Sequence, residues 1–177
     1  MESFLWIVLS YFIGAIPSGY IIGKVFYHVD LKKTGSGNIG ATNAYRELGV
    51  VAGLSVFICD FLKGFIAVHL GMPDPLIVLA CAIAAIVGND WSIFLHFKSG
   101  KGVACGVGAF AYISAPAVLC AFAVWLLVFK AKHIVSLSSI IAAPVVALVL
   151  LIEGASAEYV IFAALAAVIV IGKHKDN

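Results

Sequence analysis

Long apolar runs occupy most of this 177-residue chain and leave it few ways to fold. Hydrophobic residues make up 63% of the sequence, charged residues only 11%, and the mean hydropathy is +1.13. A water-soluble domain of this size cannot bury so much apolar surface, so the sequence predicts an all-α polytopic membrane protein. Neither a repeat nor a second domain is visible, and residues 1–177 are interpreted as one integral-membrane domain.

The apolar runs are separated by short polar segments and lie at residues 4–23, 50–70, 76–95, 103–113, 117–129, 134–152 and 159–172. The fourth and fifth runs are short and could form one long helix. With seven spans and the N-terminus outside, however, the inner loops hold all the Lys and Arg residues except Lys63. Merging the two short runs would move several of these charges outside. The sequence therefore predicts seven transmembrane helices, with the N-terminus outside and the C-terminus cytoplasmic.

Local residues support this topology. Pro116 favours a break between the fourth and fifth runs. The first run is preceded by Glu2 and no Lys or Arg, so it is interpreted as a span and not as a cleaved signal peptide. The two short helices must extend into the loops or leave a water-accessible hollow at one face. Gly106 and Gly108 in the fourth run predict close helix packing.

The most unusual polar stretch reads FKSGKGVACGVG at residues 97–108. Gly100 and Gly102 flank Lys101, so the backbone can bring its amides close to an anion. If a helix begins at Val103, its N-terminal amides and Lys101 together predict a phosphate site. The alternative is a short cytoplasmic loop with ordinary orienting lysines.

A second polar stretch, GSGNIGATN at residues 35–43, is followed by Arg46. Its glycines suit a backbone nest that binds anions, and Thr42 or Asn43 is predicted to cap a following helix. Arg46 would lie about one turn into that helix, where its planar fork suits phosphate oxygens. The alternative is a flexible loop that ends in a helix cap.

Two further clusters carry less information alone. Ser136 and Ser139 share a helix face at the inner end of the sixth run, where serines usually bond to the preceding turn. The tail KHKDN, at residues 173–177, resembles an orientation signal. The predicted topology places all four clusters at the cytoplasmic surface, so we expect one anion site built from several helix ends.

Two charged pairs are interpreted separately. Asp60 and Lys63 lie three residues apart in the second run, and pairing is expected because a lone charge at mid-membrane costs about 2.5–3.5 kcal/mol. We interpret this pair as structural. His69 and Asp74 match the HxxxxD spacing of acyltransferases that use acyl-CoA. They lie at the opposite membrane face from the four clusters, so we interpret that match as chance.

The ordered set of motifs resembles the acyl-phosphate-dependent glycerol-3-phosphate acyltransferases, the PlsY family. The matching stretches are GSGNIGATNAYRELG at 35–49, DFLKG at 60–64, FKSGKGVA at 97–104, VSLSSI at 135–140 and KHKDN at the tail. The resemblance implies transfer of an acyl group from acyl phosphate to the 1-hydroxyl of glycerol 3-phosphate, giving lysophosphatidic acid and phosphate. It implies an active site at the cytoplasmic side of the inner membrane, among membrane lipids, and a soluble phosphate acyltransferase that supplies the donor. It implies no cofactor, metal or nucleic acid, and no acyl-CoA as direct donor.

The resemblance also assigns roles residue by residue. The catalytic assignments are Ser36, Arg46, Lys101, His174 and Asn177. The substrate-binding assignments are Thr42, Asn43, Gly100, Gly102, Val103 and Ser139. It further implies that a substrate phosphate takes the hydroxyl proton. No strong general base is evident, since the spacing of Asp30, Glu47 and Asp90 favours none of them.

This chain departs from the family pattern at several positions. Ser99 replaces a glycine before Lys101, and Cys105 stands where threonine is usual. Asn89 and Ser92 replace a histidine and a proline.

A small phosphate or organic-anion transporter or channel is the competing function, because helix starts also bind anions in transporters. The absence of paired halves and of mid-membrane polar clusters argues against it. A lipid phosphotransferase would need acidic metal ligands at the inner face, where no such cluster exists.

Overall fold

The computed structural model describes residues 2–97 and 99–173. This part of the chain consists of α-helices, one short 3₁₀ helix and connecting loops, and contains no strand. The α-helices are α1 (Glu2–Ala15), α2 (Ser18–Phe26), α3 (Ala41–Leu48), α4 (Val50–Gly71), α5 (Pro75–Asp90), α6 (Val103–Ile113), α7 (Ala115–Lys132), α8 (Val135–Ile152) and α9 (Ala157–Lys173). The predicted all-helical class is confirmed. The chain divides into two compact units, Met1–Ala109 and Phe110–Asn177.

The helices follow the predicted apolar runs. Five segments are long and apolar enough to cross a membrane: Glu2–Phe26, Val50–Gly71, Pro75–Leu95, Ala115–Lys132 and Val135–Ile152. Val103–Ile113 and Ala157–Gly172 are shorter apolar helices. The predicted break between the fourth and fifth runs is present, because Ser114 caps α7 by accepting a 3.1 Å hydrogen bond from Ala117 N and Pro116 lies in the first turn.

The first run is not the single helix that its hydropathy suggested. α1 ends at Ala15, and α2 begins at Ser18 after Pro17. Proline interrupts the helical hydrogen-bond ladder and disfavours helical geometry in the residue before it. Ser92 Oγ donates a 2.5 Å hydrogen bond to the Ala15 carbonyl, so a polar side chain from beyond α5 satisfies the interrupted end of α1.

Glycines allow close helix packing in the first unit. A Cβ on Gly14 of α1 would collide with the backbone of Ala85 in α5. A Cβ on Gly108 of α6 would likewise collide with the backbone of Phe61 in α4, as the small residues of the fourth run predicted. A Cβ on Gly106 would lie 3.8 Å from Ile86 Cδ1, an ordinary contact, so Gly106 does not share this role.

Three charged residues of the two interpreted pairs have partners within the first unit. Asp60 and Lys63 are buried and form an ion pair within α4, with 2.5 Å between Oδ1 and Nζ. Asp74 is the N-cap of α5, where its carboxylate accepts hydrogen bonds from Leu76 N at 2.9 Å and Ile77 N at 3.4 Å. The capping role gives a structural reason for the aspartate of the HxxxxD match.

The second unit contains α7, α8 and α9, with α8 packed against both neighbours. His133 in left-handed geometry ends α7, and α8 begins two residues later, so the two helices are adjacent. Ser114 Oγ donates a 2.7 Å hydrogen bond to Glu153 Oε2 at the end of α8. The ring centroids of Phe110 and Phe162 lie 5.0 Å apart.

Candidate active site

The glycine–lysine loop, residues 99–102, connects the segment after α5 to α6. The Gly100 amide donates a 3.0 Å hydrogen bond to the Asn89 carbonyl, and Gly102 has a φ of +66°. α6 begins at Val103, as predicted. The first N–H groups of a helix have no partner within it, so the half-buried Lys101 lies beside a natural anion-binding position.

Two buried polar residues at the end of α5 lie behind this loop. A Cβ on Gly100 would lie 2.7 Å from Asn89 Oδ1, and one on Gly102 would lie 2.9 Å from Asp90 Oδ1. Only glycine allows the backbone to approach these side chains so closely. Sequence reasoning noted Asn89 and Asp90 but did not place them at the loop, because their separation from it along the chain follows no recognised motif.

Asn43 organises the second polar loop. Its Oδ1 accepts a 3.0 Å hydrogen bond from the Ser36 amide, and its Nδ2 donates to the carbonyls of Leu31 at 3.2 Å and Thr34 at 3.1 Å. Asn43 is only 2% exposed. These contacts give it a structural function in the loop, and its assignment to substrate binding stays a prediction.

The predicted cap of α3 was wrong. The helix begins at Ala41 with Gly40 as N-cap and no side-chain cap, so neither Thr42 nor Asn43 caps it. Instead, Asn38 Oδ1 accepts a 2.7 Å hydrogen bond from the Gly40 amide in the preceding loop. The side-chain amide of Asn43 holds the preceding loop instead of capping the helix.

Besides Asn43, three predicted site residues lie on this loop and helix. Ser36 is exposed, Thr42 is half-buried in the first turn of α3, and Arg46 is exposed in the last turn. Arg46 therefore lies closer to the end of α3 than to its start. α3 packs on α4, where a Cβ on Gly53 would lie 2.7 Å from Tyr45 Cβ. The Arg46 guanidinium thus projects from an anchored helix.

Ser139 lies in the second unit, in the first turns of α8. It is 7% exposed, and its hydroxyl donates a 3.0 Å hydrogen bond to the Val135 carbonyl. Its oxygen accepts a 3.2 Å hydrogen bond from Trp125 Nε1 on α7. Trp125 stacks between Phe122 and Phe129, with centroid distances of 6.2 and 5.1 Å. Sequence reasoning did not find Trp125, because nothing in the spacing links it to Ser139.

The remaining predicted site residues, His174 and Asn177, lie outside the described residues. Within residues 2–97 and 99–173, no three His, Cys, Asp or Glu side chains converge as a metal site requires.

A cavity of about 300 Å³ in the first unit is lined by Lys32, Lys33 and His96, among others. None of its described lining residues is a predicted site residue.

The sequence as a whole matches known proteins. The family model described as glycerol-3-phosphate acyltransferase matches residues 4–177. The chain belongs to the glycerol-3-phosphate acyltransferase family. This result confirms the predicted family and the predicted enzyme class, an acyltransferase.

Named relatives and solved structures agree with this membership. Glycerol-3-phosphate acyltransferase 2 of Moorella thermoacetica is 42% identical over 175 residues, which cover 98% of this chain and 90% of that protein. Glycerol-3-phosphate acyltransferase of Lacticaseibacillus casei is 45% identical over 139 residues, 76% of this chain and 67% of that protein.

The fold is also similar to a solved structure of the same family. The crystal structure of PlsY (YgiH), an integral membrane glycerol 3-phosphate acyltransferase, in its glycerol 3-phosphate form has a TM-score of 0.92 and 35% identity, with coverage of 100% of this chain and 90% of that chain. The lysphosphatidic acid form gives 0.91 and 34% with the same coverage. This chain is thus an integral membrane protein of the PlsY type.

Proposed function

We propose that this enzyme transfers an acyl group from acyl phosphate to the 1-hydroxyl of glycerol 3-phosphate. The hydroxyl oxygen forms a bond to the acyl carbon, and the bond between that carbon and the phosphate oxygen breaks. The hydroxyl proton ends on a phosphate group, so the products are lysophosphatidic acid and inorganic phosphate. The solved relative, whose two forms hold glycerol 3-phosphate and lysphosphatidic acid, supports this acceptor and this product.

The glycine–lysine loop is the observation that carries the proposal. Lys101 and the N-terminus of α6 supply a positive charge and a set of backbone donors next to Gly102. Acyl phosphate is already activated, so the protein mainly has to align the hydroxyl with the carbonyl and stabilise charge on the departing phosphate. Both tasks require phosphate binding, for which this loop supplies a positive charge and backbone donors.

We assign the remaining roles by combining the loop with the other predicted residues. Arg46 projects from α3 with a guanidinium suited to a second phosphate, and Ser36 and Thr42 lie on the same loop and helix. Ser139 keeps its predicted role in substrate binding, and His174 and Asn177 keep their predicted catalytic roles, while Asn43 fixes the loop that carries Ser36. A substrate phosphate serves as proton acceptor in this scheme, so the site needs no dedicated base.

The proposed topology has seven spans, with the N-terminus outside and the active site at the cytoplasmic side of the inner membrane. At 1.5 Å per residue, the 11-residue α6 is about 17 Å long, against a hydrocarbon core of about 30 Å. This length supports a phosphate site recessed below the membrane surface. A soluble phosphate acyltransferase would deliver the acyl phosphate from the same side.

The decisive assay gives the purified enzyme palmitoyl phosphate and labelled glycerol 3-phosphate without coenzyme A. We expect labelled lysophosphatidic acid and an equal amount of phosphate. A parallel reaction contains palmitoyl coenzyme A in place of palmitoyl phosphate and is expected to give no product. Product from the coenzyme A thioester alone would overturn the proposed donor. Uptake of phosphate into vesicles without any acylation would favour the transporter alternative.

A further inference from the structure

A buried carboxylate lies directly behind the glycine–lysine loop. Asp90 is the last residue of α5, is 3% exposed, and has both carboxylate oxygens shielded from solvent. Its Oδ1 is so near Gly102 that an added Cβ would lie 2.9 Å away. Because α6 starts at Val103, the residue after Gly102, the Asp90 carboxylate lies at the N-terminal end of α6.

This position matters because a helix N-terminus carries partial positive charge and attracts anions. A protein carboxylate placed there offsets part of the positive potential that would otherwise attract a substrate phosphate. Asp90 therefore reduces the positive potential at the loop proposed to bind phosphate.

The charge balance around the loop indicates a partner for this carboxylate. Among residues 2–97 and 99–172, the buried charged side chains are Asp60, Lys63 and Asp90. Lys63 is paired with Asp60 at 2.5 Å, so the buried negative charges exceed the positive ones by one. A Cβ on Gly64, the residue after Lys63, would collide with the Cys105 backbone in α6, so the Asp60–Lys63 pair lies near the start of the same helix. Lys101 directly precedes Gly102, whose backbone approaches Asp90 closely.

We propose that Asp90 is the counter-charge of Lys101 and sets how tightly the loop holds phosphate. In the empty site the carboxylate positions the ammonium at the loop. Once phosphate is bound, the fixed negative charge behind the amides weakens the complex and favours release of the product phosphate. This role rests on the proposed function, because it requires that Lys101 and α6 bind phosphate.

Such tuning suits a reaction in which a product is itself a phosphate ion. A site that bound phosphate with its full electrostatic strength would bind ground states and the transition state alike, and it would be inhibited by its own product. Asp90 is thus a positioning residue that acts through Lys101.

The test is Asp90→Asn, which removes the charge and keeps the shape. The dissociation constant of inorganic phosphate, measured by titration calorimetry on the full-length enzyme in nanodiscs, is expected to fall about fivefold or more. The inhibition constant of phosphate should fall in parallel. Damage to the fold reduces the amount of active enzyme but does not tighten binding, so the direction of the change identifies the role. Unchanged or weaker phosphate binding would overturn the proposal.

Two matched variants complete the design. Asp74→Asn removes one charge from the other end of α5 and retains an N-cap residue, so phosphate affinity should stay within about twofold of the wild type. In a Lys101→Ala background, Asp90→Asn should tighten binding by a smaller factor than in the wild type, because only the direct repulsion between Asp90 and phosphate is then relieved, and equal tightening there would refute the pairing with Lys101. If Asp90→Asn does not fold, Asp90→Ser tests the same charge loss.

The outcomes separate this proposal from the proposed function. If the wild-type enzyme forms no lysophosphatidic acid from acyl phosphate, the proposed function fails. If it forms this product and Asp90→Asn leaves phosphate affinity unchanged, only the tuning role of Asp90 fails.

Discussion

Lys63 Nζ donates a 2.6 Å hydrogen bond to the carbonyl oxygen of Ile16, 47 residues earlier in the chain. Ile16 lies at the break between α1 and α2, where Pro17 interrupts the helical ladder. The same ammonium pairs with Asp60. One buried lysine thus neutralises a carboxylate of α4 and satisfies the interrupted backbone of the first membrane segment.

We expect Lys63→Met to destabilise the protein strongly. The substitution leaves the buried Asp60 carboxylate without this partner and removes a donor from the Ile16 carbonyl. Breaking a buried ion pair by removing one member costs about 3–5 kcal/mol. Thermal unfolding in detergent measures the loss, with Lys132→Met on the exposed end of α7 as the control. Adding Asp60→Asn should restore part of the stability, and a failure to do so would contradict the paired role.

The apolar runs predicted the helices well because membrane helices are specified by local composition. The start of α6 at Val103 and the break at Ser114 follow from glycine, serine and proline at those positions. The break at Pro17 was missed because apolar residues lie on both sides of the short Pro17–Gly19 stretch, so the apolar run continues across it. Hydropathy indicates which segments are buried in lipid. It does not reveal the side chains from other helices that stabilise a helix break by bonding to its free carbonyls.

The site was predicted only in part, for a different physical reason. The sequence motif identifies Lys101 and its neighbouring glycines, because a loop whose backbone approaches an anion closely requires glycine. They do not reveal Asp90 behind the loop or Trp125 beside Ser139, because both contacts depend on how separate helices pack. The missed cap of α3 has the same origin, since Asn43 is recruited by carbonyls up to 12 residues earlier.

Lys101→Met should remove most of the activity and leave the fold intact. A hydrogen bond to a charged group contributes about 1.5–3 kcal/mol, so the rate should fall about tenfold to a hundredfold or more. Formation of lysophosphatidic acid from palmitoyl phosphate measures the rate, and thermal unfolding verifies the fold. Lys33→Met, at an exposed position before the 35–43 loop, serves as the control and should remain active. Full turnover by Lys101→Met would remove the basis of the site assignment.

Gly102→Ala should damage the active site more than its backbone strain alone explains. Its φ of +66° already penalises alanine by about 1–2 kcal/mol, and the new Cβ would press against Asp90 Oδ1 and Ile86 Cγ2, each at 2.9 Å. Gly154→Ala is the matched control, because Gly154 has a φ of +70° and no atom of the described residues beyond its chain neighbours lies within 4 Å of the added Cβ. Both variants should lose stability, but only Gly102→Ala should lose acyl transfer. Equal activities would show that the loop tolerates displacement.

Asn43→Ala should loosen the loop that carries Ser36. The substitution removes all three hydrogen bonds that the Asn43 side chain makes, and each buried bond contributes about 1 kcal/mol. Trypsin cleavage after Lys32 and Lys33 reports the opening, and we expect it to become markedly faster than in the wild type. Asn38→Ala removes only the bond to Gly40 and should have a smaller effect. Equal cleavage of the two variants would refute the organising role of Asn43.

Ser138 and Ser139 form a matched pair for testing the second unit. Both are buried, and both donate a hydrogen bond to a carbonyl one turn earlier, at 2.8 Å for Ser138 and 3.0 Å for Ser139. Only Ser139 also accepts a hydrogen bond from Trp125. If Ser139 binds a substrate phosphate, its hydroxyl hydrogen must turn from Val135 to the substrate while the indole N–H holds the oxygen in place.

Ser139→Ala should therefore lower kcat/KM about tenfold or more, whereas Ser138→Ala should change it little. Trp125→Phe keeps an aromatic ring between Phe122 and Phe129 but removes the N–H donor, so it should lower kcat/KM by a smaller factor than Ser139→Ala. Initial rates at varied glycerol 3-phosphate and palmitoyl phosphate show which substrate each variant affects. Parallel losses in the two serine variants would indicate that these hydroxyls serve helix packing, and Ser139 would then leave the proposed site.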